Sequence, residues 1–337
     1  MTSQTLDVVT IGNALVDVLS KTDDSFLAKH EIPKGSMTLI DEPRALQLYD
    51  AMGPAVEVSG GSAGNTAAGI ASLGGKAAFL GKVRDDQLGD IFTHDIRATG
   101  VAFDVAHAAS GPATGRSMIL VTPDAARSMN TFLGAAVEFG PDDVNEAQVQ
   151  AAAVTYMEGY LWDSSSAKGA FLKAARLAHT AGRKISLTLS DPFLVDRYKE
   201  ELKSFVEKHV DIVFANEEEV CSLYDAANFD EALQAVRAHC DVAALTRSEK
   251  GAVIVSGDEV HVVDATPVPA VVDTTGAGDL FAAGFLYGTT NGHSLYDSGR
   301  IGALAAAEVI SHVGARPEQN LEQLLAAQPG LAQAKRA

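Results

Sequence analysis

From about residue 154 onward the chain alternates between short apolar runs and longer amphipathic stretches, and this alternation limits the folds open to it. VTYMEGYL (154–161), KISLTLS (184–190), DIVFANE (211–217), VAALT (242–246) and GAVIVSG (251–257) read as strands, with helical patterns such as 167–181 and 230–239 between some of them. Strands that alternate with helices return to the same edge direction, so they build a mostly parallel sheet covered by helices on both faces. LDVVTIG at 6–12 reads as a buried first strand, and residues 56–60 and 77–83 as further strands around a helix starting near Gly64. From 101 to 135 the pattern changes to alternating pieces such as RSMILVT and RSMNTFL, which suggest paired β-strands. The expected organisation is a large α/β domain from residues 1–12, 41–100 and 136–330, with a small β lid from 13–40 and 101–135. Ligands of open α/β sheets bind beyond the carboxyl ends of the strands, where such a lid would close.

A length of 337 residues with 47% hydrophobic side chains suffices for this core. The net charge of −18 repels nucleic acid and anionic membranes and argues against both as partners. Cys221 and Cys240 form no C-x-x-C pair, and no two of the nine histidines have the spacing of a metal-binding helix. The stretch MTSQTLDVVTIG lacks a basic start and a long apolar run, so no signal peptide is expected and the reading is cytoplasmic. Oligomeric state, monomer or homodimer, stays open.

The most informative stretch is VVDTTGAGDLFAAGFLYG, residues 271–288. Gly276-Ala277-Gly278 turns a β-branched run into an apolar helix. Glycines there let backbone N–H groups approach an anion, and the helix end adds a partial positive charge. Asp279 in the first helical turn is a candidate general base, a role worth about 10²–10⁴-fold in rate. The turn is not a Walker A loop, and Phe281 stands where a Rossmann fingerprint needs its third glycine. A tight turn with a helix-capping aspartate is the plainer alternative.

DTTGAGD at 273–279 resembles the C-terminal signature of the ribokinase-like (PfkB-type) carbohydrate kinases. GGSAGNTAAGIASLGG at 60–75, followed by LGKVRDDQLGD at 80–90, resembles the N-terminal signature. The resemblance implies a ribokinase-like α/β fold and ATP as co-substrate with Mg²⁺, and leaves room for a monovalent cation. It also implies sugar contacts from Gly60, Gly61 and Asn65, with Asn13 and Asp17 after the first strand, the carboxylate accepting from sugar hydroxyls. Asn216 and Glu219 in FANEEEV match an N-x-x-E motif that organises Mg²⁺ through water; a helix cap followed by acidic residues explains the same pattern. Thr246, Ser248 and Gly251 in ALTRSEKG resemble the nucleotide side, with Ala303, Ala307 and Ile310 as neighbours of the adenine of ATP.

Three details resemble the adenosine-phosphorylating members more than the plain sugar kinases. They are Leu15 in GNALVD, Arg127 and Met129 in RSMNTFLGAA, and Phe193 in SDPF, an aromatic wall for a purine. The implied activity is transfer from ATP to the 5′-hydroxyl of adenosine, giving AMP, with Asp279 as base and 276–278 as anion hole. A kinase of ribose, fructose or 2-keto-3-deoxygluconate is the alternative, and a catalytically idle nucleoside or sugar sensor a more distant one.

Overall fold

In the computed structural model, which describes residues 5–124 and 126–331, the apolar runs become an eight-stranded sheet. Across it lie β5 (Ala77–Leu80), β1 (Leu6–Ile11), β8 (Ala152–Glu158), β9 (Lys184–Thr188), β10 (Ile212–Asn216) and β11 (Val242–Thr246), all parallel. The antiparallel hairpin β12 (Ala252–Ser256) and β13 (Glu259–Val263) completes the edge.

Because side chains alternate across a strand, neighbouring residues enter different cores. Val8, Phe79, Tyr156, Phe214 and Ala244 face one side, where they pack against α3 (Ser62–Ser72), α4 (Gln87–Ala98), α10 (Ala277–Thr290), α11 (Leu295–Val309) and α12 (Leu321–Ala326). Val9, Leu80, Met157, Leu187, Val213 and Leu245 face the other. There they meet α5 (Glu146–Ala151), α6 (Ser165–Thr180), α7 (Pro192–His209), α8 (Glu217–Tyr224) and α9 (Phe229–Val236). This is the two-faced arrangement the alternation predicts.

A second, five-stranded sheet runs β3 (Met37–Leu39), β7 (Arg127–Phe132), β6 (Gly115–Val121), β2 (Leu15–Lys21), β4 (Ala55–Gly60). Its outer face is sealed by α1 (Asp24–Lys29) and α2 (Glu42–Ala51), with Leu27, Ile32, Ala45 and Leu48 against Met118 and Leu120. One boundary differs from expectation. Residues 56–60 fall in the 41–100 segment expected for the large domain, yet β4 pairs antiparallel with β2, Leu15 opposite Gly60 and Asp17 opposite Val58. A strand that leads into a helix reads the same whichever sheet it joins, so local pattern does not distinguish the two. The lid is therefore tied to α3 through β4 as well as through its own two segments. Among the described residues no helix is long and apolar enough to cross a membrane.

Candidate active site

The carboxyl ends of β1, β8, β9, β10 and β11 deliver Asn13, Glu158, Thr188, Asn216 and Thr246 to one cavity of about 670 Å³. The inner face of the small sheet covers it with Asp17, Ile119, Met129, Met37 and Leu39. The cavity thus lies where the topology of an open α/β sheet puts a ligand.

Gly276, Ala277, Gly278 and Asp279 line the same cavity. Gly276 is the N-cap of α10 at φ 82°, with no side-chain cap on the helix. A Cβ there would fall 2.8 Å from the Ala315 backbone, so both conformation and space demand glycine. Above Gly278 there is open space. The result is a helix N-terminus facing a cavity without a competing side chain, the geometry that favours an anion.

Asp279, in the first turn of α10, is held by α3. Its Oδ1 accepts from Ser62 Oγ at 2.6 Å and its Oδ2 from Asn65 Nδ2 at 2.9 Å. Burial raises its pKa, and the bonds from Ser62 and Asn65 with the Arg316 charge oppose that rise. Gly61, at φ 86°, brings the start of α3 against residue 13, where any Cβ would lie 2.1 Å from the Asn13 carbonyl oxygen. Gly60 gives room to the Asp17 carboxylate, whose Cγ would sit 2.4 Å from a Cβ at that position. Asp17 is raised to about 6 by burial; Arg316 and Arg127 favour its ionisation, and the Asp279 charge opposes it.

Asn216 and Glu219 form a reciprocal cap at the start of α8. Asn216 Oδ1 accepts from the Glu219 N–H at 2.8 Å, while the Glu219 carboxylate accepts from the Asn216 N–H at 3.0 Å and from Nδ2 at 2.8 Å. Both also line the cavity. Burial raises Glu219 to about 7, with the Asn216 N–H working against it and Asp191 and Glu218 adding to it. Among the described residues no group of three or more His, Cys, Asp or Glu side chains is arranged to hold a metal ion. A single carboxylate suits an ion that keeps most of its waters, as Mg²⁺ does.

Of the other residues expected here, Leu15, Met129, Phe193, Asn65 and Thr246 line the cavity, with Phe193 84% exposed at its rim. Arg127 does not. Its guanidinium, on β7, pairs with Asp273 in the loop before α10, both side chains buried. The turn at 248–250 carries Ser248 away from the cavity, and a Cβ on Gly251 would lie 2.0 Å from the Val263 carbonyl oxygen, so that glycine serves the hairpin. Ala303 and Ala307 are core residues of α11; the Ile310 carbonyl accepts from the Val272 N–H at 2.8 Å, and none of the three lines the cavity. A small-residue stripe on a helix looks alike whether it meets a ligand or a neighbouring helix.

Sequence reasoning missed four groups. Ser62 lies within the N-terminal signature, but nothing in its type or spacing marks it as the partner of Asp279. Glu158 is buried in YMEGYLWD, bonded to Asn13 Nδ2 at 2.7 Å and the Ala63 N–H at 2.9 Å, and raised to about 7 chiefly by burial. Its signal was a carboxylate at the end of a buried strand. Arg316 and Asp95, joined through Ser59, carry no motif.

A glycine-lined helix N-terminus beside a buried carboxylate, under a β lid, defines a phosphoryl-transfer type of site. The chain belongs to the pfkB family of carbohydrate kinases, whose pattern matches residues 51–321. It is 55% identical to the adenosine kinase of Sinorhizobium meliloti, with a TM-score of 0.88 over 95% of this chain and 98% of that one. It is 56% identical to a probable sugar kinase protein from Rhizobium etli, with a TM-score of 0.90 over 98% of this chain and 100% of that one. The adenosine kinase of Saccharomyces cerevisiae is 29% identical over 332 residues, covering 92% of this chain and 96% of the yeast protein. The fold is ribokinase-like, and ATP is the co-substrate that the kinase family implies.

Proposed function

We propose that this chain transfers the γ-phosphoryl group of ATP to the 5′-hydroxyl of adenosine, giving AMP and ADP. The observation that carries the reading is one cavity holding both an uncapped glycine helix end with Asp279 and an apolar wall of Leu15, Met129 and Phe193. Its similarity to named adenosine kinases from a bacterium and from yeast supports the same acceptor.

In this mechanism Asp17, Asn65 and Asn13 bind the ribose, and the purine lies against Leu15, Met129 and Phe193. Asp279 takes the proton from the 5′-hydroxyl as its oxygen bonds to the γ-phosphorus. The bond from that phosphorus to the β–γ bridging oxygen breaks, and its electron pair leaves on ADP. The N–H groups of Gly276 and Gly278 face the oxygens on which charge gathers, while that of Ala277 already donates to the Thr274 carbonyl at 3.2 Å. Asn216 and Glu219 would hold the waters of Mg²⁺, which neutralises phosphate charge when bound. An enzyme drawing on ATP, with a net charge of −18, fits the cytoplasm.

A second reading has its own support: Asp17 and Asn65 would serve a free sugar equally well, and one similar structure is named a probable sugar kinase. ADP release with Mg·ATP against adenosine, inosine, ribose, fructose and 2-keto-3-deoxygluconate separates the two. Turnover on adenosine alone is expected. Turnover confined to a free sugar overturns the acceptor and keeps the chemistry, and no ADP release with any acceptor favours an idle sensor.

A further inference from the structure

We propose that Arg316 is a positioning residue for the base of this reaction: by fixing the orientation of the Asn65 amide, it keeps Asp279 aimed and ready to accept a proton. The inference rests on the phosphoryl-transfer reading above.

Arg316 lies in the loop after α11. Glu308, buried near the end of that helix, holds the loop through Oε1, which accepts from the N–H groups of Glu318 at 3.0 Å and Gln319 at 2.8 Å. The guanidinium reaches back to the start of α3 across 251 residues of sequence. Its Nε donates to Asn65 Oδ1 at 2.7 Å, and its Nη2 donates to the Ser59 carbonyl at 2.9 Å and to Ser59 Oγ at 3.1 Å. Ser59 in turn donates from its N–H and Oγ to Asp95 Oδ2, at 2.7 and 2.6 Å. Nη1 is sealed from solvent without a hydrogen-bond partner.

A guanidinium only donates, so the amide oxygen of Asn65 must face Arg316. The amide nitrogen is then obliged to face Asp279, where it donates at 2.9 Å. A donor in that place favours the carboxylate over the protonated acid. Ser62 gives no such direction, since its hydroxyl rotates between donating and accepting. The titratable groups that meet Asp279 come from three sides: Asp17 on β2, Tyr156 and Glu158 on β8 with Tyr160 just beyond, and Arg316. Burial keeps both tyrosines protonated and neutral, which leaves Asp17 and Glu158 as the acids whose charge opposes ionisation of Asp279. Arg316 is the cation whose field favours an ionised Asp279. Without it, the Asn65 amide is free to turn its oxygen to Asp279, and the acids beside it go unopposed.

The test is the single-turnover rate of phosphoryl transfer at saturating adenosine and Mg·ATP, from pH 5 to 9, with melting temperatures measured alongside. Wild type is compared with Arg316→Lys, Arg316→Gln and Arg316→Met. Arg316→Met is expected to move the acidic limb up by about one pH unit, which is about tenfold in rate at low pH, with recovery above pH 8. Arg316→Lys should keep the limb near wild type, and Arg316→Gln, which can hold the amide without the charge, should fall between. A loss of rate equal at all pH values, or an unchanged profile in Arg316→Met, overturns the proposal. So does failure of all three variants to fold, which makes the role structural. If wild type uses an acceptor other than adenosine, the same profile is read with that acceptor, so the two readings fail separately.

Discussion

Replacing Asp279 with asparagine isolates the chemistry of the site from its architecture. The carboxylate makes two bonds, one to a hydroxyl and one to an amide nitrogen. The introduced amide has the same shape and can satisfy both: its oxygen stays on Asn65 Nδ2, and its nitrogen meets Ser62 Oγ, which rotates to accept. Arg316 keeps Asn65 in place throughout. The cost should therefore fall on proton transfer rather than on folding or binding. Loss of a general base is worth about 10²–10⁴-fold, or roughly 3–5 kcal/mol of transition-state stabilisation. The change also removes a negative charge that opposes ionisation of Asp17, so adenosine affinity near pH 6 should not weaken. Coupled ADP release gives the turnover, and calorimetric titration with adenosine gives the affinity. Turnover within about threefold of wild type would refute Asp279 as the base. A fall in adenosine affinity of more than about tenfold would show that the carboxylate acts mainly on the bound ground state.

Three further outcomes follow from the same geometry. Asp17→Asn should abolish tight adenosine binding yet raise the melting temperature of the ligand-free protein at pH 8. Its folded pKa of about 6 lies above the ordinary 3.8, so stability is lost as pH rises between those values; the gain should vanish near pH 4, and a pH-independent melting difference would refute this account. Gly276→Ala forces a Cβ against Ala315 at a left-handed φ, so turnover should drop by at least about 10²-fold; near-normal turnover would mean the turn is not the anion hole. Arg127→Ala leaves Asp273 buried without its cation, for which a loss of about 3 kcal/mol or more and faster amide exchange in β3 and β7 are expected; unchanged urea unfolding and exchange would show that the pair does not tie the lid down.

What could be read without coordinates was local. The strand–helix alternation specified a parallel sheet with two cores, because periodicity reports which faces of an element are buried. The turn at 276–278 and the placement of Asp279 were legible because a helix start and its glycines occupy consecutive residues. The cap of α8 by Asn216 and Glu219 was legible for the same reason. The small sheet was partly legible, since alternation announced β6 and β7 but gave no partner for β4. What only the tertiary structure decided is convergence between distant segments. It joined Arg127 to Asp273 rather than to the cavity, and assigned Gly251, Ala303 and Ala307 to packing. It brought Glu158 to Asn13 across 145 residues and Arg316 to Asn65 across 251. A side chain's partner at such separations depends on how helices and sheets stack, and one chain's local pattern carries no record of that stacking.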